Sequence, residues 1–310
     1  MSLRTAESVL ARLDLKVARR LEGLLQGDHK SAFRGQGLDL ADLREYQYHD
    51  DVRHMDWNVT ARLDIPHVRE YLEDREITAW FLLDMSPSID FESVSVSKRA
   101  VLTEFTALVC RLLAAKGNRT GAILFSEKIE RMIPARGGRR QLLVLLDALS
   151  RHRSLARKNR RLQATDLKQV LADAAGLIKR RSLVFIVSDF IAASGWEKPM
   201  GQLASRHDVI AVRLSDPMEM LMPDLGLLTF QDAESGEQLF VDTTDRGFRK
   251  RFAAAAEARE EQLRGAFQRA GVDTLELSTE DDITDAVLRF ADMRKHRFAS
   301  PTSGTGAVPA

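Results

Sequence analysis

Residues that could bind a metal follow an apolar run near the first quarter of the sequence. The run, residues 79–83, is followed directly by Asp84, Ser86 and Ser88 within Asp-Met-Ser-Pro-Ser. One carboxylate and two hydroxyls are hard oxygen donors, the kind that Mg²⁺ and Mn²⁺ prefer. Asp, Ser and Pro are also common loop formers, because their side chains or ring favour turns. This stretch alone therefore does not distinguish a metal site from a turn.

Two further stretches supply candidate partners for these donors. A second apolar run, residues 182–188, ends in Asp189, and Thr165 precedes a helical pattern, a position where threonine is also a candidate N-cap. Uncharged runs of this length are typical of strands buried on both faces of a parallel sheet. Ligands bind at the carboxyl ends of such strands, where the strand order reverses. If the two strands are neighbours there, two carboxylates and three hydroxyls converge, a set that suits one Mg²⁺ (or Mn²⁺) held partly through water.

The elements that must position these residues alternate between strand and helix patterns. This alternation predicts an α/β fold with a doubly wound, mostly parallel sheet. Residues 151–161 contain six Arg or Lys and are predicted to be a basic loop, either solvated or a docking surface for an acidic partner. Strands are predicted near residues 79–83, 120–125, 128–133, 182–189, 208–214 and 272–277, with a hairpin over 226–241; helices are predicted near 98–116, 138–149, 165–179, 245–270 and 280–297.

The segment before the sheet has a different character. Residues 5–26 have the apolar spacing of an amphipathic helix. Residues 33–76 then mix acids, arginines and aromatics without a clean period, which is typical of a structural ion-pair network, and residues 67–73 are predicted to be extended. We expect the part from Arg44 to Arg62 to be structural support, in which case a buried Trp57 ring would make Trp57→Ala lower stability by about 3 kcal/mol. The predicted organisation is an N-terminal helix and mixed segment (1–75) packing on the main domain, the α/β domain itself (76–298) and a disordered tail (299–310).

Composition excludes several classes of function. The 310 residues carry a formal net charge of +1, which gives no general attraction to nucleic acid or to anionic membranes. No apolar run approaches membrane-spanning length, and charges throughout the first thirty residues argue against a signal peptide. The single cysteine, Cys110, allows no internal disulfide and lies in an apolar helix, where it is expected to be a buried hydrophobe. We therefore expect a cytoplasmic protein.

Two motifs resemble known families. Asp84, Ser86, Ser88, Thr165 and Asp189 resemble the metal-ion-dependent adhesion site of von Willebrand factor A-type domains. The stretch from Leu43 to Arg62 is similar to the signature of the domain-of-unknown-function 58 family, in which it precedes such a domain. The resemblance covers roughly residues 30–298. Ser-Asp-Phe at residues 188–190 departs from the Asp-Gly common in adhesion domains but fits the smaller family.

The resemblance implies a binding module and not an enzyme. In such sites the serines and the threonine coordinate the metal, the aspartates act directly or through water, and a carboxylate of the partner completes the shell. It also implies a chaperone-like adaptor role with a MoxR-type AAA+ ATPase, the partner being that ATPase or a client protein.

The alternative is a Mg²⁺-dependent hydrolase or phosphatase with Asp84 as its nucleophile. That chemistry needs a second carboxylate two residues later as general acid, and this position is Ser86. The sequence also contains no Walker-type phosphate loop, His-Glu-x-x-His or Gly-x-Ser-x-Gly motif. We therefore expect no phosphatase activity.

Overall fold

The computed structural model of the chain describes residues 38–48, 50–73, 77–90, 96–155, 165–231 and 238–299. Within these ranges the chain forms ten strands and seven α-helices, divided between two compact units, residues 38–77 and 78–299. The predicted helix over 5–26 lies outside the described residues, as do residues 300–310 of the predicted tail.

The first unit is a two-stranded sheet with one short helix. Strands β1 (Leu38–Glu45) and β2 (His67–Glu73) pair antiparallel, which confirms the extended segment predicted at 67–73. Helix α1 (Trp57–Leu63) lies between them and begins at Asp56, whose carboxylate accepts from two backbone amides. The Arg44 guanidinium bonds both carboxylate oxygens of Asp50 at 2.7 Å, as the ion-pair prediction requires.

The Trp57 ring is not buried, so the condition for a loss of about 3 kcal/mol on its truncation is not met. Its side chain is 69% exposed, and α1 has no buried residue. The reason is local, because Trp57 is the first residue of a short helix between two turns. The presence of an aromatic residue in a charged segment does not tell whether its ring is buried or exposed.

The second unit is organised around a six-stranded sheet. The strands are β3 (Thr78–Asp84), β4 (Arg119–Phe125), β5 (Ile129–Arg136), β6 (Leu183–Ser188), β7 (Asp208–Ser215) and β10 (Asp273–Ser278). Their spatial order is β10-β7-β6-β3-β4-β5. Every neighbouring pair is parallel except β4–β5, so the predicted doubly wound, mostly parallel sheet is confirmed. The strand order reverses between β3 and β6, because β4 and β5 are added on one side of β3 and the later strands are added on its other side.

Helices cover both faces of this sheet. The helices are α2 (Lys98–Ala115), α3 (Arg139–Leu155), α4 (Leu167–Leu177), α5 (Glu197–Ala204), α6 (Arg246–Ala270) and α7 (Ile283–Ala299). Helix α5 packs between α4 and α6, and the apolar residues of these three helices join one face of β3 and β6 in a single core cluster. The opposite face packs on α2, where Phe105 contacts the Phe185 ring, which itself stacks on Phe81 at 5.1 Å between centroids. Burial on both faces explains the uncharged runs.

A hairpin, β8 (Leu227–Gln231) with β9 (Gln238–Asp242), pairs antiparallel as predicted, and its turn lies outside the described residues. Within the described part of the chain, no helix combines the length and the apolar character needed to cross a membrane.

Two predictions about helices need correction. The basic stretch at 151–161 does not begin as a loop, because α3 continues to Leu155, and residues 156–161 are outside the described ranges. Arginine is a good helix former, and Arg151 forms an i,i+4 ion pair with Asp147 at 2.8 Å. Helix α5 was not predicted, because Pro199 and Gly201 resemble helix breakers, although proline is tolerated in the first turn.

Candidate metal centre

Two carboxylates lie at the point where the strand order reverses. Asp84 is the last residue of β3, and Asp189 directly follows β6, the adjacent parallel strand. Both are buried, at 2% and 1% exposure. Ser188, the last residue of β6, donates from Oγ to Asp84 Oδ2 at 2.6 Å and so ties the two strand ends together. The predicted adjacency of the two strands is therefore confirmed.

The two serines after Asp84 lie on a tight turn. The Ser86 amide donates to Asp84 Oδ1 at 2.9 Å, and a 3₁₀ turn follows at Pro87–Asp90. The Ser86 and Ser88 hydroxyls form a hydrogen bond with each other, with their oxygens 3.0 Å apart. Adjacent oxygens around an octahedral Mg²⁺, each about 2.1 Å from the ion, are about 3 Å from each other. The spacing of the two hydroxyls therefore fits two neighbouring coordination positions.

The electrostatics of Asp84 also fit a cation. Burial, and next the charge of Asp189, raise the pKa of Asp84 to about 6, against the opposing hydrogen bonds from Ser188 and Ser86. A nearby divalent cation favours the ionised carboxylate and so acts in the opposite direction. The donor set thus fits Mg²⁺ or Mn²⁺ in its chemistry, since it consists of hard oxygen donors. Among the described residues, no cluster of three or more His, Cys, Asp or Glu could hold a metal, so a site here requires hydroxyl ligands.

Asp189 has a partner that the sequence did not reveal. Its Oδ1 accepts from the Ile191 amide at 3.1 Å, and its Oδ2 accepts from Lys98 Nζ at 2.8 Å. The same ammonium donates to Glu219 Oε1 at 2.6 Å. Lys98 is the first residue of α2, where a cation is disfavoured by the helix dipole. That unfavourable position is the one signal in the sequence that could have marked it.

Phe190 adopts a backbone conformation that normally belongs to glycine. Its φ is +56°, in the left-handed region that is costly for a bulky residue. Its buried ring packs on Trp196 and Phe267, at centroid distances of 5.4 and 4.9 Å. Phe190 occupies the position where adhesion domains commonly have glycine. At this position the chain therefore holds a bulky side chain in a left-handed backbone conformation.

Thr165 is the predicted ligand that no described contact connects to the others. It is 5% exposed and stands two residues before α4. The candidate role as N-cap falls to the next residue instead, because Asp166 caps α4 and its carboxylate accepts from the Gln169 amide at 3.0 Å. No described hydrogen bond joins Thr165 to the other candidate ligands. Of the five, hydrogen bonds or direct charge interactions connect Asp84 with Ser86 and with Asp189, and Ser86 with Ser88.

The fold and this loop define a doubly wound α/β domain with polar residues at the reversal of strand order, the arrangement that the resemblance to von Willebrand factor A-type domains implies. The chain belongs to the family described as "protein of unknown function DUF58", whose model matches residues 42–262. It is 34% identical over 288 residues to an uncharacterized protein of Mycobacterium tuberculosis, covering 93% of this chain and 89% of that protein.

Solved structures with a similar chain path include two from Bacteroides. One is an aerotolerance-related membrane protein from Bacteroides fragilis, with a TM-score of 0.48 and 13% identity. The other is a conserved hypothetical protein, BatB, from Bacteroides thetaiotaomicron, with a TM-score of 0.47 and 12% identity. Each similarity covers 71% of this chain and 99% of the other.

Proposed function

We propose that this protein is a noncatalytic protein-interaction module that binds a carboxylate of its partner through a site for Mg²⁺ (or Mn²⁺). The proposed ligands are Asp84, Ser86, Ser88 and Asp189, to which the family resemblance adds Thr165. The observation that carries the proposal is the 3.0 Å spacing of the two serine hydroxyls beside a buried carboxylate at the reversal of strand order.

The residues of this chain have separable roles in the proposal. Ser86 and Ser88 provide neutral oxygens, while Asp84 provides negative charge from a carboxylate oriented by the Ser86 amide and the Ser188 hydroxyl. Asp189, oriented by Lys98 and the Ile191 amide, acts directly or through water. When bound, the metal would supply a Lewis-acidic contact for an anionic oxygen. A partner Asp or Glu provides such an oxygen, whereas a lysine is repelled by the cation.

The proposed partner is a MoxR-type AAA+ ATPase or a client protein, with this chain as a chaperone-like adaptor. This part of the proposal extends to the chain what the family resemblance of its sequence implies. The presence of a serine at position 86, where a phosphatase of the Asp nucleophile type needs a carboxylic acid, supports a role other than catalysis.

A pull-down of the cognate ATPase tests the proposal. We expect capture in Mg²⁺, loss of capture in chelator, and loss with the charge-neutral variant Ser86→Ala/Ser88→Ala. Ser182→Ala is the matched control, because Ser182 is a buried serine just before the opposite end of β6. Circular dichroism must show all variants to be folded. Capture that is unaffected by both chelator and the double variant would contradict the proposed interface.

A further inference from the structure

Lys98 is a buried cation beside the candidate metal centre. Its side chain is 1% exposed, and its ammonium donates to Asp189 and Glu219 at 2.8 and 2.6 Å. Removing an ammonium from water costs several kcal/mol. The amino end of α2 adds a second unfavourable interaction, because it carries partial positive charge. Helix formation therefore gives no reason for a lysine here, and its two acidic contacts identify the role to be explained.

The geometry of Lys98 is that of a buried double ion pair. Its ammonium lies within hydrogen-bond distance of one carboxylate oxygen of Asp189 and one of Glu219. A positive charge therefore lies directly against one of the proposed ligands.

The Lys98 ammonium lies on the Asp189 side of the site. Both oxygens of Asp189 receive donors, one from Lys98 and one from the Ile191 amide. The oxygens of Asp84 instead receive the Ser86 amide and the Ser188 hydroxyl. Lys98 thus compensates the second carboxylate of the site without a described hydrogen bond to the first.

The charge balance of the cluster depends on this lysine. Its carboxylates are Asp84, Asp189 and Glu219, and Lys98, which is hydrogen-bonded to two of them, offsets one of their three negative charges. Glu219 also has a cation on its backbone side, since Arg259 Nη2 donates to its carbonyl oxygen at 3.2 Å. Without Lys98 the cluster would be more negative and would hold a divalent cation more tightly.

We infer that Lys98 sets the cation affinity of this site: its positive charge beside Asp189 weakens divalent binding, so that occupancy depends on the negative charge a partner carboxylate adds. The inference rests on the proposed function for the site itself. At an effective dielectric constant near 20, a unit charge within several ångströms changes cation affinity by roughly tenfold or more.

Binding of Mn²⁺ alone, followed by electron paramagnetic resonance, tests this role. We expect Lys98→Met to bind Mn²⁺ at least tenfold more tightly than wild type. Lys98→Met/Glu219→Gln removes one charge of each sign, so we expect it to return close to the wild-type affinity. Arg294→Met is the matched control, because Arg294 is also a buried cation paired with two acids, Asp208 and Asp273, and it should leave the affinity unchanged.

The outcomes separate this inference from the proposed function. Wild-type binding that Asp84→Asn abolishes, with Lys98→Met binding no more tightly, would overturn the role of Lys98 and retain the metal site. Binding by Lys98→Met but not by wild type alone would support the role of Lys98, and the proposed function would then be overturned if wild type also failed to bind Mn²⁺ in the presence of the partner ATPase. No binding by any variant would overturn both.

A second substitution tests the inference if Lys98→Met does not fold, because removing one partner of a buried ion pair is strongly destabilising. If Lys98→Met does not fold, Glu219→Gln leaves Lys98 less compensated and should weaken Mn²⁺ binding several-fold. Unchanged affinity in a folded Glu219→Gln protein would overturn the inference.

Discussion

Phe190 combines a strained backbone with a well-packed side chain, and the two contributions can be separated. Phe190→Ala removes the ring contacts with Trp196 and Phe267 and retains the left-handed backbone. We expect it to lower the free energy of unfolding by about 3 to 5 kcal/mol. Phe190→Gly removes the same contacts but relieves the strain, so its loss should be about 1 kcal/mol smaller. Urea unfolding measures both, and a glycine variant that is less stable than the alanine variant would contradict this account.

Trp57 and Trp196 form a matched pair for burial. Trp57 is 69% exposed, whereas Trp196 is 3% exposed and packs on Phe267. We expect Trp57→Ala to change the free energy of unfolding by less than about 0.5 kcal/mol. Trp196→Ala should reduce it by about 3 to 5 kcal/mol. Thermal unfolding of the two variants is the measurement, and a comparable loss for Trp57→Ala would show that this ring is part of a core.

His207 predicts a pH dependence of stability. Both ring nitrogens are buried, without a hydrogen-bond partner among the described residues. Burial, and next the charge of Arg206, lower the pKa of His207. The unfolded state therefore takes up a proton first as the pH falls below about 6.5, and stability is lost there. His207→Leu cannot titrate, so its unfolding free energy should fall less between pH 7.5 and pH 5 than that of wild type. Equal slopes would contradict the assignment.

At the scale of elements, the sequence predicted where the strands are better than it predicted which distant residues contact one another. The uncharged runs ending in Asp84 and Asp189 are strands because both sheet faces are covered, and this leaves a clear signal. The interaction of Lys98 leaves no comparable signal, since its acidic partners are 91 and 121 residues away. Sequence periodicity depends on residues close together in the chain, so it could not reveal that Lys98 pairs with acids of the candidate site.

The start of α4 shows a second limit of local patterns. Thr165 and Asp166 are adjacent, and both residue types are good N-caps, so the sequence does not choose between them. The structure assigns the cap to Asp166. We expect Asp166→Ala to lower the free energy of unfolding by about 1 kcal/mol, and Asp166→Asn to be nearly neutral. Chemical denaturation distinguishes them, and an alanine variant as stable as the asparagine variant would count against this cap.

At the scale of the whole molecule, the proposed metal should act on the stability of the sheet. Its ligands come from the ends of β3 and β6, so a cation bound only to the folded state stabilises their pairing. Mg²⁺ at about 100 times its dissociation constant should raise the free energy of unfolding by about 2.7 kcal/mol. Asp84→Asn should abolish this increase. Calorimetry with and without Mg²⁺ provides the test, and an equal increase in that variant would place the ion elsewhere.

The pairing of β3 with β6 also determines when the site can exist. Ser188 and Asp84 are 104 residues apart in the chain, and β4, β5, α2, α3 and α4 lie between them. Bringing such distant segments together is slow, because the entropy of closing the intervening loop opposes it until many contacts form. During synthesis, a nascent chain cannot complete the site before β6 has left the ribosome and entered the sheet. A partner that recognises Asp84 and Asp189 together therefore selects molecules whose central sheet is already assembled.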